Sequence, residues 1–263
     1  MKEMSILIDQ KVVGPGARVF VVAEIGINHN GSVSQAEKLI DAAAEAGADA
    51  VKFQTFRVDR LLIPSRERCV AQPDGTESAY HMLRRFELTW EDQARLKKHC
   101  DRREICFIST PYDEESADFL DAIGMPAFKT ASADITHVPL LRHVASKGKP
   151  VLLSTGMSFL NEVADAIWNL RSAGAKEILL MHCVSAYPAF PQYMNLRVIP
   201  TLQSYFELSV GLSDHSEGIL FPPVAVAMGA VLIEKHFTLD KQAPGPEHKA
   251  SVDPEELKLL IRH

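Results

Sequence analysis

The sequence has few cysteines, no long hydrophobic run and no excess of positive charge. Its four cysteines form no C-x-x-C pair and lack metal-ligand spacing, which argues against a disulfide scaffold and for a reducing compartment. No apolar run approaches the ~20 residues of a membrane-spanning helix, and the first residues do not resemble a signal peptide. A net charge of −6 argues against a nucleic-acid-binding surface. We therefore expect a cytoplasmic protein that binds neither nucleic acid nor membrane.

The composition is that of one globular domain. The 263 residues are 46% hydrophobic and 24% charged, and about 250 residues are typical of one (β/α)8 barrel. Short apolar, β-branched runs alternate with amphipathic helical segments, which predicts parallel strands joined by right-handed crossovers. Eight strands are predicted, at Val19–Ile25, Ala50–Gln54, Ile105–Ser109, Ala127–Ala131, Val151–Ser154, Ile178–His182, Leu208–Leu212 and Val231–Lys235.

These alternations predict an α/β fold, a (β/α)8 (TIM) barrel in which residues 1–263 form a single domain. A doubly wound open sheet is the rival, but residues 24–31 read EIGINHNG rather than the G-x-G-x-x-G of its first turn. Two segments lie outside the repeat. A short N-terminal β-hairpin within residues 1–16 could plug the bottom of the barrel, and residues 57–89 form a long loop after the second strand.

Polar and ionisable side chains follow the predicted strands at their carboxyl ends. They are Glu24, Lys52, Gln54, Ser109, Thr110, Lys129, Ser132, Ser154, His182, Ser213, His215, Glu234 and His236. A purely structural role would place polar residues at both strand ends about equally, whereas barrel enzymes carry their chemistry at the carboxyl ends. The asymmetry predicts an active site on that face.

Two lysines, Lys52 and Lys129, interrupt otherwise apolar strands. A buried lysine costs several kcal/mol unless it is paired, so each needs an anionic partner or an anionic ligand. A structural ion pair with Glu24 or Glu234 is one interpretation. The other is a pocket for phosphate and carboxylate groups, in which hydroxyls at the same face also donate hydrogen bonds: Thr110, Ser132, Ser154 and Ser213.

Two histidines, His215 and His236, follow neighbouring strands of the predicted barrel. A single histidine is usually a packed or solvated side chain, but two at adjacent strand ends can converge on one divalent metal, such as Mn²⁺ or Zn²⁺. Asp214 and Glu234 could orient the two imidazoles. Three other side chains near strand ends are interpreted as packing residues: Met157, Met181 and Cys183.

Five segments together resemble one family. They are VAEIGINHNG (22–31), ADAVKFQT (48–55), STGM (154–157), GLSDHS (211–216) and IEKHFT (233–238). They closely resemble the sialic acid (N-acetylneuraminate) synthase family, which includes legionaminate and pseudaminate synthases. The resemblance implies a transferase of polysaccharide biosynthesis that acts as a homodimer. Its reaction would be the metal-dependent condensation of phosphoenolpyruvate with an N-acyl hexosamine such as N-acetylmannosamine, which gives a nonulosonic acid and phosphate.

The resemblance also implies roles for individual residues. His215 and His236 match the family's metal ligands, where manganese is usual, and Glu24 or Glu234 would handle the proton of the attacking water. The phosphoenolpyruvate pocket would be formed by Lys52, Thr110, Lys129, Ser132, Ser154, Tyr187 and Ser213. The sugar would contact Gln54, Asp134 and Glu247. Position 247 is usually Asp and position 134 often Glu, so these two departures bear on the sugar more than on the reaction.

Two alternatives remain open at this stage. One is an aldolase that forms a Schiff base through Lys52 or Lys129. The other is a catalytically silent barrel that binds phosphorylated ligands. The family usually continues into a small antifreeze-like C-terminal domain, which lends an arginine to the partner's sugar site. The resemblance here covers the barrel domain alone, from about residue 15 to residue 260.

Overall fold

The computed structural model describes residues 5–64 and 78–263, and it confirms the predicted barrel. Eight parallel strands close in the order β10-β3-β4-β5-β6-β7-β8-β9. Their bounds are β3 (Phe20–Gly26), β4 (Ala50–Thr55), β5 (Cys106–Pro111), β6 (Phe128–Thr130), β7 (Val151–Ser154), β8 (Ile178–Cys183), β9 (Val210–Asp214) and β10 (Leu232–His236). All eight predicted strands are present, with every end within two residues of its predicted position.

Helices surround the barrel and connect its strands. In the described residues they are α1 (Val33–Ala46), α2 (Val58–Leu61), α3 (Ala79–Phe86), α4 (Trp90–Arg102), α5 (Glu114–Ala122), α6 (Val138–Ser146), α7 (Leu160–Ser172), α8 (Val198–Phe206), α9 (Phe221–Ala227) and α10 (Pro254–Arg262). Polar residues cap several N-termini: Ser32, Thr89, Asp113 and Asp253 accept hydrogen bonds from backbone amides of the first turn. None of the described helices is both long and apolar enough to cross a membrane.

The predicted N-terminal hairpin is present as β1 (Ile6–Ile8) and β2 (Lys11–Val13), paired antiparallel. Its apolar side chains join the cluster that fills the lower barrel interior, which includes residues from the starts of the barrel strands. Asp49, which precedes β4, is buried and forms ion pairs with Lys11 and Arg18. The hairpin therefore closes the amino-terminal end of the barrel, so the site lies at the other end.

The segment predicted as one long loop, residues 57–89, contains α2 and α3, so that prediction is wrong in part. Residues 65–77 of it lie outside the described residues. Both helices pack on a small apolar cluster above the barrel, which includes Phe56 and Met82. The sequence did not predict α3 because its eight residues include one Tyr, one His and two Arg. Met82 and Phe86, at positions i and i+4, nevertheless face the cluster.

Candidate active site

A cavity of about 320 Å³ opens at the carboxyl ends of the barrel strands. Twelve of the fourteen predicted site residues line it: Glu24, Lys52, Gln54, Thr110, Lys129, Ser132, Ser154, Tyr187, Ser213, His215, Glu234 and His236. The other two, Asp134 and Glu247, are not among the residues that line it. Neighbouring parallel strands bring these residues together because their carboxyl ends meet at one end of the barrel. The geometry thus assembles one site, while the role of each residue stays a prediction.

Buried charges of both signs form the floor of the cavity. Lys52 Nζ lies 2.9 Å from Glu24 Oε2 and 3.7 Å from Glu234 Oε1, and it donates to Thr110 Oγ1 at 3.2 Å. Lys129 Nζ lies 3.6 Å from Glu234 Oε1 and donates to Ser154 Oγ at 2.6 Å. The interpretation as ion pairs and the interpretation as an anion pocket are therefore compatible, because the paired lysines still line the cavity.

The two glutamates of this floor differ in their pKa. Burial raises the pKa of Glu24 above its ordinary 4.5, and Lys52 offsets this only in part. Burial also acts to raise the pKa of Glu234, but Lys129 and Lys52 together outweigh it and hold that pKa at about 2. Burial opposes the charge on Lys52, yet Glu234 and Glu24 raise its pKa above the ordinary value. Glu234 and Lys52 are therefore ionised at neutral pH.

His215 lies one residue beyond β9, in the cavity wall. Its Nδ1 is 2.7 Å from the carbonyl oxygen of Val184, which can only accept, so Nδ1 carries the proton. The unprotonated Nε2 is then an acceptor beside Tyr187 Oη at 3.2 Å and Ser213 Oγ at 3.4 Å. Burial lowers the pKa of His215 to about 3, so the imidazole is neutral and its Nε2 lone pair is available.

His236 ends β10, and its ring centroid is 5.5 Å from that of His215. Its Nδ1 lies 3.4 Å from Glu247 Oε2. Burial acts to lower the pKa of His236, but Glu247 and Glu24 outweigh this and raise it. The structure shows no direct contact of Asp214 with either imidazole: Asp214 lies on the other side of β9 and pairs with Lys235 at 2.8 Å. Glu247 stands beside the imidazole instead.

The donor set fits a divalent transition metal with open coordination positions. Two imidazoles with carboxylates nearby form a mixed nitrogen and oxygen environment of the kind that Mn²⁺ or Zn²⁺ prefers. Among residues 5–64 and 78–263, no group of three or more His, Cys, Asp or Glu side chains is arranged to hold a metal. The chain would therefore supply the two imidazoles, and water or substrate would complete the coordination.

Two of the three predicted sugar contacts, Gln54 and Glu247, lie close to Gly26 at the end of β3. Gly26 has φ +52°, and a Cβ there would lie 2.6 Å from Glu247 Oε2, 3.2 Å from Glu24 Oε1 and 3.3 Å from Gln54 Nε2. Only glycine lets these polar groups come so close. Asp134 lies in a short 3-10 turn after β6, and burial raises its pKa.

Six further residues line the cavity that the sequence did not assign to the site: Tyr112, Ala131, Ala133, Met157, Cys183 and Ser185. Tyr112 directly follows β5. Its position two residues after Thr110, at the carboxyl end of a predicted strand, could have identified it as a site residue. Met181 is a buried packing residue as predicted, but the same prediction is wrong for Met157, which is 71% exposed at the rim with φ +55°. Cys183 packs as predicted, yet its Sγ also lies 3.0 Å from Ser132 Oγ in the wall.

Known proteins resemble this chain over nearly its whole length. The model of the NeuB family matches residues 39–263. N,N'-diacetyllegionaminic acid synthase of Legionella pneumophila is 45% identical over 95% of this chain and 72% of its own length. The crystal structure of the spore coat polysaccharide biosynthesis protein SpsE of Bacillus subtilis has a TM-score of 0.86 at 44% identity, covering 98% of this chain and 70% of that chain. The N-acetylneuraminic acid synthetase of Leptospira borgpetersenii, in complex with citrate, has a TM-score of 0.91 at 34% identity, covering 99% and 87%.

Proposed function

The chain belongs to the NeuB family and is a synthase like its relatives, and we propose that it condenses phosphoenolpyruvate with an open-chain N-acyl hexosamine. The observation that carries the proposal is the shared cavity. Two buried lysines, a set of hydroxyl donors and two imidazoles line one pocket at the mouth of the barrel. This is the combination that a doubly anionic substrate and an aldehyde require in a single site.

Phosphoenolpyruvate carries its charge on a phosphate and a carboxylate, and the lysine side of the cavity suits both. Lys129 and Lys52 supply positive charge, and Ser154 and Thr110 already lie within hydrogen-bond distance of them. An anion that enters this pocket exchanges water for charge-assisted hydrogen bonds in a buried environment. Glu234 stays ionised between the lysines and keeps their ammonium groups in place.

The aldehyde end of the sugar is placed beside His215 and His236, which we propose hold a divalent ion, with Mn²⁺ as the first candidate. A metal bound there supplies Lewis acidity at the aldehyde oxygen. The chain orients this end through the protonated Nδ1 of His215, which fixes the ring so that Nε2 faces the cavity. Gln54, Tyr112, Asp134 and Glu247 then offer polar groups to the hydroxyl and N-acyl substituents.

The proposed reaction joins the two substrates through one carbon–carbon bond and releases phosphate. The C3 carbon of phosphoenolpyruvate forms a carbon–carbon bond to the aldehyde carbon, and the aldehyde oxygen takes up a proton. Water adds to C2 and loses one proton to a base, and this proton balances the one taken up by the aldehyde oxygen. The C2–O bond to phosphate then breaks while the C2 hydroxyl loses its remaining proton to the departing phosphate, which leaves the keto acid and inorganic phosphate. We propose Glu24 as that base, because its carboxylate lines the cavity beside Lys52 and its pKa is raised.

The Schiff-base alternative requires a neutral lysine nucleophile. Lys52 does not suit that role, because two carboxylates within 3.7 Å raise its pKa and keep it protonated. Borohydride treatment with pyruvate should therefore leave Lys52 unmodified, as read by peptide mass mapping. A covalent adduct on that lysine would support the aldolase instead.

Phosphate release tests the proposed reaction. The chelator-treated protein is assayed with phosphoenolpyruvate and either N-acetylmannosamine or a 2,4-diacetamido hexose, since one relative is named for a diacetylated product. We expect release that requires the sugar and is restored by Mn²⁺. Phosphate binding without turnover of any hexosamine would support the silent barrel.

We propose a cytoplasmic homodimer that serves polysaccharide biosynthesis, which is the process in the name of the Bacillus subtilis relative. Light scattering on the purified chain tests the dimer.

A further inference from the structure

A fully buried ion pair lies behind the cavity, on the opposite face of the strands that carry the two histidines. Lys235 and Asp214 are both 0% exposed, and their facing positions on β10 and β9 are register partners. Successive side chains of a strand point to opposite faces. Glu234 and His236 line the cavity, so Lys235 between them points away from it. Neither member of the pair can touch a substrate.

The contacts of Lys235 enclose His215 on both sides. Its Nζ donates to Asp214 Oδ2 at 2.8 Å and to the carbonyl oxygen of Ser216 at 2.5 Å. Asp214 Oδ1 in turn accepts from the backbone N–H of Ser216 at 2.9 Å. The ammonium group of Lys235 therefore binds the residues before and after His215. Lys235 itself directly precedes His236 in the chain.

A second set of contacts holds His215 from the opposite side. Its Nδ1 donates to the Val184 carbonyl at 2.7 Å, and its carbonyl accepts from the backbone N–H of Ala189 at 2.9 Å. Both partners belong to the segment that follows β8. His215 is thus hydrogen-bonded by its own atoms to the segment after β8, while the residues on either side of it are bound to Lys235 of β10.

We propose that the Lys235–Asp214 pair is a positioning device that sets the distance and angle between the His215 and His236 imidazoles. The inference rests on the proposed two-histidine metal site. A buried ion pair contributes little net stability compared with apolar residues of the same volume. Its two directed hydrogen bonds instead fix the loop at Ser216 against β10, which holds the ring centroids 5.5 Å apart. The structure thus assigns these buried charges to the geometry of the metal ligands.

The test replaces Lys235 by methionine and measures the metal directly. We expect Lys235→Met to raise the Kd for Mn²⁺, read by electron paramagnetic resonance of the free ion, by roughly 10- to 100-fold, which is typical when a partner behind a ligand is removed. The visible spectrum of the Co²⁺-loaded variant should change in position or intensity, because the ligand geometry changes. The Kd for phosphoenolpyruvate in chelator should stay within about twofold, since Lys52 and Lys129 are not altered.

Two further variants separate position from stability. Asp49→Asn breaks ion pairs of another buried aspartate at the closed end of the barrel, so it should lower the melting temperature yet keep the Mn²⁺ Kd and Co²⁺ spectrum. If Lys235→Met does not fold, the double variant Asp214→Asn with Lys235→Met removes the lone buried charge and takes its place.

The outcomes are distinguishable. A folded Lys235→Met or double variant with wild-type Mn²⁺ affinity and Co²⁺ spectrum overturns the positioning role alone. If His215→Ala also binds Mn²⁺ as tightly as the wild type, the two-histidine site itself is refuted, and the inference fails with it. Weakened Mn²⁺ binding and an altered spectrum, with both properties intact in Asp49→Asn, support the inference.

Discussion

Replacing Lys52 by methionine should make the stability of this protein depend on pH in a way that replacing Lys129 does not. Lys52 Nζ lies 2.9 Å from Glu24 and 3.7 Å from Glu234, whereas Lys129 lies near Glu234 alone among the carboxylates that the structure describes, at 3.6 Å. In Lys52→Met, Glu24 therefore loses its near cation and remains buried. In Lys129→Met, Glu234 keeps Lys52. The two variants form a matched pair on one cavity floor.

The magnitude follows from these distances. At an effective dielectric constant of about 20, Coulomb's law gives about 6 kcal/mol for the contact of Lys52 with Glu24. Glu24 can avoid most of that loss by taking up a proton. Since its ordinary pKa is 4.5, protonation costs about 4 kcal/mol at pH 7.5 and about 1.4 kcal/mol at pH 5.5. These protonation costs are upper limits on the destabilisation that buried Glu24 causes in Lys52→Met at each pH.

Proton linkage determines whether the stability of Lys52→Met rises or falls with pH. The folded variant holds a proton on Glu24 that the unfolded chain releases above its ordinary pKa, so the free energy of unfolding falls as pH rises from there towards the raised folded pKa. The deficit relative to wild type should thus be larger at pH 7.5 than at pH 5.5, by at most about 2.7 kcal/mol, because the raised pKa of Glu24 already makes wild-type stability fall over part of this range. For a chain of this size, that corresponds to roughly 5–10 °C in Tm.

The assay is thermal unfolding of wild type, Lys52→Met and Lys129→Met in chelator at both pH values, followed by calorimetric titration with phosphoenolpyruvate. Both variants should bind phosphoenolpyruvate about ten- to a hundredfold more weakly, because each loses a charge-assisted contact of about 1.5–3 kcal/mol. If the Tm of Lys52→Met is lowered by the same amount at both pH values, Glu24 does not take up a proton in the folded variant and the reasoning is refuted. Unchanged phosphoenolpyruvate affinity in both variants would place the anion pocket elsewhere.

Three further predictions concern the rim and the metal ligands. His215→Ala and His236→Ala should each abolish metal-dependent phosphate release with the barrel still folded by circular dichroism; near-normal turnover at saturating Mn²⁺ would rule out the site. Tyr112→Phe should raise KM for the hexosamine by roughly two- to tenfold through one lost hydrogen bond, while an effect confined to phosphoenolpyruvate would place the hydroxyl at the other end. Gly26→Ala should cost about 1–3 kcal/mol of strain and move the Glu247 carboxylate. If this variant keeps both the stability and the hexosamine KM of the wild type, the close contacts around Gly26 do not constrain the site.

The fold was predictable because parallel barrel strands are buried on both faces and appear as continuous apolar runs. Lys52 and Lys129 stood out for the same reason, since a charge inside such a run is costly. The side of the strand on which Asp214 lies was also predictable. Ser213 faces the cavity, so its neighbour must face away, and this alternation contradicts a role beside an imidazole.

Other features depend on tertiary packing that no local pattern reveals. Met157 is an apolar residue at a strand end, which usually means burial, but a left-handed backbone places it at the rim. Glu247 belongs to an irregular segment, so its approach to His236 depends on the fold around Gly26 rather than on periodicity. The short helices α2 and α3 have too few turns to show a clear apolar stripe.

The closure of the barrel has a consequence for synthesis of the protein on the ribosome. The first barrel strand, β3, pairs with the last one, β10, so that His236 and Glu24 are neighbours although they lie near opposite ends of the chain. Both imidazoles and Glu234 are synthesised after the two lysines and most of the hydroxyl donors. A nascent barrel without β9 and β10 would hold an incomplete anion pocket and no partner for the aldehyde. The proposed condensation therefore requires that β9 and β10 have been made and have closed the barrel.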